Sequence, residues 1–413
     1  MSAQPSHFLA RHPRAARMLV LLVVSVGWLL GPKPVAPSDY CGHRIEFTGW
    51  AGLTVNCDSG GFAGLAAEPR TILDRTNLRQ TRPVFSLIGT VIGWPLAQLT
   101  HAFKPGLDPR AGYFLGYILL NFLLLAAAVE LLALLLAGVG ATAAEILGLS
   151  LFLVANDLTK AFLWTAHSQL FGLLCPLLTI ALCVWLAAAE RSRRQLAVLG
   201  LALSLAILTY GTFFVTVAAL LLADFHRGWE RRQPLPQAVA RAVALALPAL
   251  LPVALWPAWV KQTTGAFYSH ELVAYRQFVW LADAFQAGGV RGLAIVGTKA
   301  RLFADTWLTA ELAPLTLATA ALVVLTRRAP VETPARELRR QTWLWLLLGL
   351  VFLALMGFYA TRLTYNLVPA MLILAGLALT QLPAARRRLA ARLLPIAGLA
   401  WWLAHAVKHG PYS

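Results

Sequence analysis

The run MLVLLVVSVGWLLGPKP, residues 18–34, decides how the rest of the chain is read. Met18 to Leu30 is apolar and is followed by Gly-Pro-Lys-Pro, with no small-residue cleavage site of Ala-x-Ala type. It reads as a retained first membrane span, not a removed signal peptide. Beyond it lies a polar segment, 32–112, and then a second long apolar run from about 113. Segments this long are uncommon as mere connections, so this one has a job.

Composition agrees. Of 413 residues, 59% are hydrophobic and 13% charged, and the mean hydropathy is +0.67. Soluble domains carry about 25% charged residues. Repeated apolar stretches near 20 residues point to a polytopic helical membrane protein. A transmembrane barrel is excluded, because its strands would alternate polar and apolar residues. The net charge of +17 suggests nucleic acid at first sight, but the basic residues stand in short clusters between apolar runs. That is the signature of positive-inside topology, and no nucleic-acid partner is expected. The Arg-rich, Lys-poor composition is associated with GC-rich bacteria.

Five clusters carry the topology: Arg11/Arg14/Arg17, Arg191/Arg193/Arg194, Arg227/Arg231/Arg232, Arg327/Arg328 with Arg339/Arg340, and Arg386/Arg387/Arg388. Placing all five in the cytoplasm gives spans near 17–31, 113–137, 142–156, 169–189, 242–259, 311–326, 342–358, 366–382 and 392–407. Only about 30 apolar residues separate Arg194 from Arg227, too few for two full spans and too many for one. A polar break, Leu208-Thr209-Tyr210-Gly211-Thr212, lies between them. Two half-length helices meeting near the midplane fit this, because broken backbone at that depth survives against protein or a water-filled cavity. One long tilted span is the other reading. The expected fold is therefore an all-α polytopic membrane protein, a single domain over 1–413 with about 11 transmembrane segments including the short hairpin. The first outer loop, 32–112, carries interfacial helices. A second, 260–310, holds an amphipathic helix from Glu271 to Gln286, stopped by Gly288-Gly289.

Candidate chemistry gathers on the outer side. Cys41 and Cys57 are the cysteines of the outer loops, and in an oxidising periplasm such thiols pair; two free thiols are the other reading. Asp58, in Asp58-Ser59-Gly60-Gly61-Phe62, suits general-base work on an incoming hydroxyl, and equally a helix N-cap. Asp39 is a second candidate. Arg79 and Arg82 follow with Arg75, and guanidinium forks suit phosphate; a solvated charged face explains them as well. Asp157, Lys160, Trp164 and His167 are spaced 3, 4 and 3 apart and share one face if helical. With Gln169 beside them they suit a sugar or lipid headgroup, or else an Asp–Lys pair with an interfacial Trp. Arg362 has no acid near it in sequence. It wants an anion, or it snorkels to ordinary headgroups. P-loop, dinucleotide and His-Glu-x-x-His patterns are absent, as is structural-zinc spacing.

On these motifs the chain resembles the GT-C superfamily of membrane glycosyltransferases. Asp58-Ser59-Gly60-Gly61-Phe62, then Leu65-Ala66 and Arg82-Pro83, resembles the Asp-Ser-x-x-Tyr…Leu-x-Ala…Arg-Pro run of bacterial members, with Phe62 in place of Tyr. Leu199-Gly200-Leu201-Ala202 through Leu208-Thr209 resembles their paired short helices. Thr361-Arg362-Leu363-Thr364-Tyr365 through Pro369 resembles their late Arg-Tyr…Pro region. The resemblance implies inverting transfer of a sugar from a polyprenyl-phosphate donor to a lipid or glycan acceptor, at the periplasmic face of a bacterial inner membrane. Asp58 or Asp39 would be the base. Arg79, Arg82, Lys160 and Arg362 would hold donor phosphate, and Asp157, Trp164, His167 and Gln169 would bind substrate. Some members use a divalent cation such as Mg or Mn; the sequence names no metal ligands. A transporter or flippase of lipid-linked glycans, and a glycan polymerase or ligase, are the competing functions.

Overall fold

The computed structural model describes residues 13–30, 43–46, 52–55, 57–75, 77–309, 311–330, 332–357 and 361–408. Asp39 and Cys41 lie outside these residues, and Cys57 is described in backbone alone, so the expected disulfide and the second candidate base do too. The fold is all-helical apart from one short hairpin, in which β1 (His43–Glu46) pairs antiparallel with β2 (Gly52–Val55), His43 opposite Val55.

The helices run α1 Pro13–Leu30, α2 Cys57–Ala67, α3 Pro83–Phe103, α4 Arg110–Ala137, α5 Ala143–Val154, α6 Asp157–Phe162, α7 Phe171–Ala188, α8 Arg193–Ile207 and α9 Phe213–Glu230. Then come α10 Leu235–Thr264, α11 His270–Val273, α12 Trp280–Ala287, α13 Gly289–Trp307, α14 Leu312–Thr326, α15 Thr333–Met356, α16 Thr361–Thr364, α17 Val368–Thr380 and α18 Ala384–Val407. Among the described residues eight helices are long and apolar enough to cross a membrane, or nine if the bent pair α13–α14 is one span. The expected spans at 142–156 and 311–326 are shorter than a full crossing. α5 has 12 residues, because Asn156 starts a new helix with a capping box to Thr159.

Members of the Arg clusters, and Arg241 outside them, form ion pairs that meet at one end of the bundle. Arg17 forms a fork on Glu130, with Nε–Oε1 2.9 Å and Nη2–Oε2 2.8 Å. Arg387 pairs with Glu145 at 2.8 Å, Arg241 with Asp224 and Glu190, and Arg340 with Glu230 and Glu337. This end therefore holds the start of α1 and the ends of α4 and α9. The charge-derived topology and the packing agree on which ends lie together.

α8 and α9 form the expected hairpin. Arg227 near the end of α9 donates to the carbonyls of Leu186 and Ala189 at the end of α7, and α8 begins just beyond, at Arg193. Its turn does not stop at the midplane, however. Tyr210 bonds Gln169 at the opposite end of α7, so the hairpin rises the full depth of that span. The helices have 15 and 18 residues, about 22 and 27 Å at 1.5 Å per residue.

α3, inside the expected first loop, has the length and composition of a span. Its close approaches to α4 fall at Gly112, Gly116 and Tyr117, toward the start of α4 and away from Glu130. Added Cβ atoms at Gly112 and Gly116 would lie 2.2 Å from the Cα of Ala97 and 2.6 Å from that of Gly93. Small residues on both helices let the backbones touch.

Candidate active site

At the end of the bundle away from the Arg clusters, the two polar loops close over a crevice of ≈ 100 Å³. Asp58, Arg79, Arg82, His167, Gln169 and Arg362 line it, joined by His270, Glu271, Tyr275 and Gln277 of the second loop.

Asp58 stands in the first turn of α2, where the helix dipole favours a carboxylate. It does not serve as the N-cap, for both oxygens are taken by side chains. Arg79 donates to Oδ1, and His167 Nε2 lies 3.0 Å from Oδ2. Ser59 accepts from the amide of Ala166 at 3.1 Å, so α2 holds both His167 and the residue before it. Phe62 is fully buried. Its ring meets Phe85 at 4.7 Å, His167 at 6.0 Å, and the Arg79 guanidinium at 4.8 Å. A tyrosine hydroxyl here would need a buried partner, which explains Phe in this position.

Electrostatics fix the protonation of the pair. Burial alone would push the Asp58 carboxyl up. The hydrogen bond to His167 and the charges of Arg79 and Arg362 outweigh burial and hold it well below the usual carboxylate range. Burial pushes His167 down to about 4 in spite of Asp58. At neutral pH the imidazole is therefore neutral and donates Nε2–H to the carboxylate. This assignment comes from the network: Nδ1 is buried with no partner, which suits a bare lone pair and not a second N–H.

Arg82 spans the crevice, donating to Ser168 Oγ at 2.8 Å and to Glu271 at 3.0 Å. Gln80 ties the loops together. Its amide nitrogen donates to Asp74 O and its oxygen accepts from the Tyr268 amide, both at 2.8 Å. Arg75 adds a 2.7 Å bond to Thr264 O. Arg362 differs from the other guanidinium groups of the crevice. No described acid pairs with it, and its buried Nε has no partner.

Other expected site residues lie elsewhere. α6 ends at Phe162, so Asp157, Lys160, Trp164 and His167 do not share a helical face. Lys160 turns away from the crevice and donates to the carbonyls of His405, at 2.7 Å, and Lys408, closing the end of α18. Burial pushes its ammonium down to about 8. Trp164 bonds Ser25 O at 2.9 Å and packs on Phe122. The single amphipathic helix expected from Glu271 to Gln286 is two helices, α11 and α12, broken where Arg276 and Phe278 take positive φ of 50° and 63°.

Asp157 belongs to a second cluster. Its carboxylate, Glu311 and His405 place ligand atoms within 4.8 Å of one another. Asp157 Oδ1 is buried without a hydrogen bond, while Lys408 holds Oδ2 at 2.7 Å and Tyr365 donates to Glu311. Two carboxylates and an imidazole with one vacant lone pair fit a divalent cation of the Mg, Mn or Zn kind. Sequence reading missed Glu311, His405 and the Glu271 segment. One available signal was an acid directly abutting an apolar run in a chain with only 18 acids.

No family model matches the chain, and no curated protein does. Among solved structures it is similar to an archaeal oligosaccharyltransferase from Archaeoglobus fulgidus, in complex with an inhibitory peptide and a dolichol-phosphate. The TM-score is 0.47 at 11% identity, over 98% of this chain and 57% of that one. The chain thus spans little more than half the length of that protein.

Proposed function

We propose that this chain is a membrane glycosyltransferase of GT-C type that moves a sugar from a polyprenyl-phosphate donor to a hydroxyl of a lipid or glycan acceptor. The observation that carries the reading is the meeting, in one crevice, of an ionised carboxylate with a guanidinium that no acid pairs among the described residues: Asp58 and Arg362. Glycosyl transfer needs both. The acceptor oxygen attacks the anomeric carbon while the bond from that carbon to the phosphate oxygen breaks. The phosphate leaves with the electron pair, and the acceptor proton passes to Asp58. Arg362, with Arg82 beside it, stabilises charge growing on the leaving phosphate. The ionised carboxylate also faces the positive charge that develops on the sugar ring, as in other glycosyl transfers. Arg79 and His167 hold it in place.

Asp157, Glu311 and His405 would hold a divalent cation, which when bound supplies positive charge near the donor phosphate. The crevice would face the periplasm of a bacterial inner membrane, with the Arg-rich end in the cytoplasm. The polar break of the hairpin, which motivates a flippase, sits beside Gln169 at the crevice end and bonds to it.

The test is direct. Protein reconstituted with radiolabelled polyprenyl-phosphate sugars and bacterial lipid extract should yield a labelled product, and Asp58→Asn should abolish it without unfolding the protein. Full activity in both Asp58→Asn and Asp39→Asn would end the mechanism, and flux of lipid-linked sugar across vesicles without product would favour the flippase.

A further inference from the structure

Arg227 stands in the last turn of α9 and is 5% exposed. Its Nη1 donates to the carbonyls of Leu186 and Ala189 at the end of α7. Its other edge, Nε with Nη2, is buried and meets no acceptor among the described residues. That edge is the one with which this chain grips carboxylates. Arg17 lays Nε and Nη2 on the two oxygens of Glu130, Arg241 on those of Asp224, and Arg387 on those of Glu145. Two parallel N–H groups match two oxygens of a carboxylate or of a phosphate.

The acids nearby are engaged elsewhere. Asp224 lies three residues back on α9, within reach of Arg227 on the helix surface, yet gives both oxygens to Arg241. Glu190 lies 3.6 Å from Arg241 and accepts from Gln233. Arg191 anchors on the same end of α7. It donates to Trp185 O at 2.8 Å, its guanidinium lies 3.9 Å over the Trp185 ring, and its Nε is also buried without an acceptor. The charges of Arg231 and Arg241 bear on Arg227 as well. A buried guanidinium with half its donors unmatched is costly, so this corner calls for an anion.

Depth says which anion. Leu222, Phe225 and Trp229 follow one another on α9 at spacings of 3 and 4, and all are exposed. They form an apolar stripe that ends in tryptophan, the residue type that marks the boundary between membrane and water. Arg227, in the turn of Trp229, is therefore level with lipid headgroups.

We propose that the Nε–Nη2 fork of Arg227, with Arg191 beside it, binds the phosphate of an anionic phospholipid headgroup where α7, α8, α9 and α10 meet. A net negative lipid fits better than a zwitterionic one, because Arg191, Arg227, Arg231 and Arg241 outnumber Glu190 and Asp224. The site is separate from the crevice and independent of the sugar chemistry proposed above.

Native mass spectrometry of the delipidated full chain, titrated with phosphatidylglycerol, reads the site. Wild type should hold the lipid saturably, and Arg227→Gln should weaken binding at least about tenfold, as for loss of a charged hydrogen bond. Arg227→Lys keeps the charge without the fork; its binding should also fall, with a thermal midpoint close to wild type. Arg194→Gln, exposed at the same end, should bind as wild type does. If Arg194→Gln loses as much as Arg227→Gln, the attraction is diffuse and the fork is overturned. Retention of the lipid in both Arg227 variants, or no saturable binding in wild type, overturns the site. Equal binding of phosphatidylcholine overturns the anionic headgroup. If millimolar inorganic phosphate displaces the lipid, the fork takes phosphate from solution and the lipid is overturned as its source.

Discussion

Asp58 and His167 meet at 3.0 Å although 109 residues separate them in the chain. The contact locks α2 of the first loop onto the approach to α7, and it leaves a charged carboxylate beside a neutral imidazole. Asp58→Asn should keep the shape and lose the charge. Transfer should fall by about 10² to 10⁴, as for loss of a positioned base, with a thermal midpoint within a few degrees of wild type. Product assays alongside a melting curve decide it.

The same pair sets a pH dependence. The folded pKa of His167, about 4, lies below its ordinary 6.5. Above pH 6.5 folded and unfolded chains are both neutral at this position. As the pH falls from about 6.5 to about 4, the unfolded chain takes up a proton that the native state refuses. Stability should decline by about 3 kcal/mol across that window, then level off. Asp58, whose folded pKa is depressed, contributes stability above its ordinary 3.8 and loses it only at lower pH. Melting curves on the wild type and on His167→Gln should show the drop in the first and a flatter profile in the second.

Arg362 is the guanidinium of the crevice that no acid pairs among the described residues, although its charge helps to hold Asp58 ionised. Arg362→Ala should cost about 10² to 10³ in donor utilisation and lower thermal stability only a little, through the charge it lends to Asp58. Arg82→Ala should weaken both, because Glu271 and Ser168 lose a partner. Steady-state kinetics against donor concentration, with melting data, separates the two.

Gln80 is buried and bonds backbone on both loops. Gln80→Ala leaves those groups unsatisfied and should destabilise by about 1–3 kcal/mol. Limited proteolysis between Thr264 and Tyr268 should accelerate. Unchanged cleavage would mean that the loops are held by other contacts.

Mn²⁺ should bind the purified chain, as read by electron paramagnetic resonance, and Glu311→Gln should weaken that binding. Lys408→Ala removes the ammonium that competes for Asp157 and should strengthen it. If Glu311→Gln binds Mn²⁺ as well as wild type, the ion sits elsewhere.

Much of this arrangement was legible in the sequence. Arg14, Arg17, Arg340 and Arg387 were placed together by charge alone, and their ion pairs gather at one end of the bundle. Asp58, Arg79, Arg82, His167, Gln169 and Arg362 were singled out separately and share one crevice. Lys160 and Trp164 were misplaced because helical spacing was carried past Phe162, where the helix ends and the chain turns. Glu271 was hidden by its helical surroundings; what brings it to Arg82 is loop-to-loop packing through Gln80, which no local pattern encodes. Asp157, Glu311 and His405 come from three distant segments, and only the folded bundle brings them within reach of one another.

The ion pairs at the basic end also say something about biogenesis. On the proposed orientation, arginines such as Arg17 and Arg387 would act during insertion as topological labels that resist translocation. Once the helices assemble, Glu130 and Glu145 neutralise them. A substitution at either glutamate would therefore leave the orientation of the nascent chain correct while loosening the assembled bundle, a defect visible only after synthesis is finished.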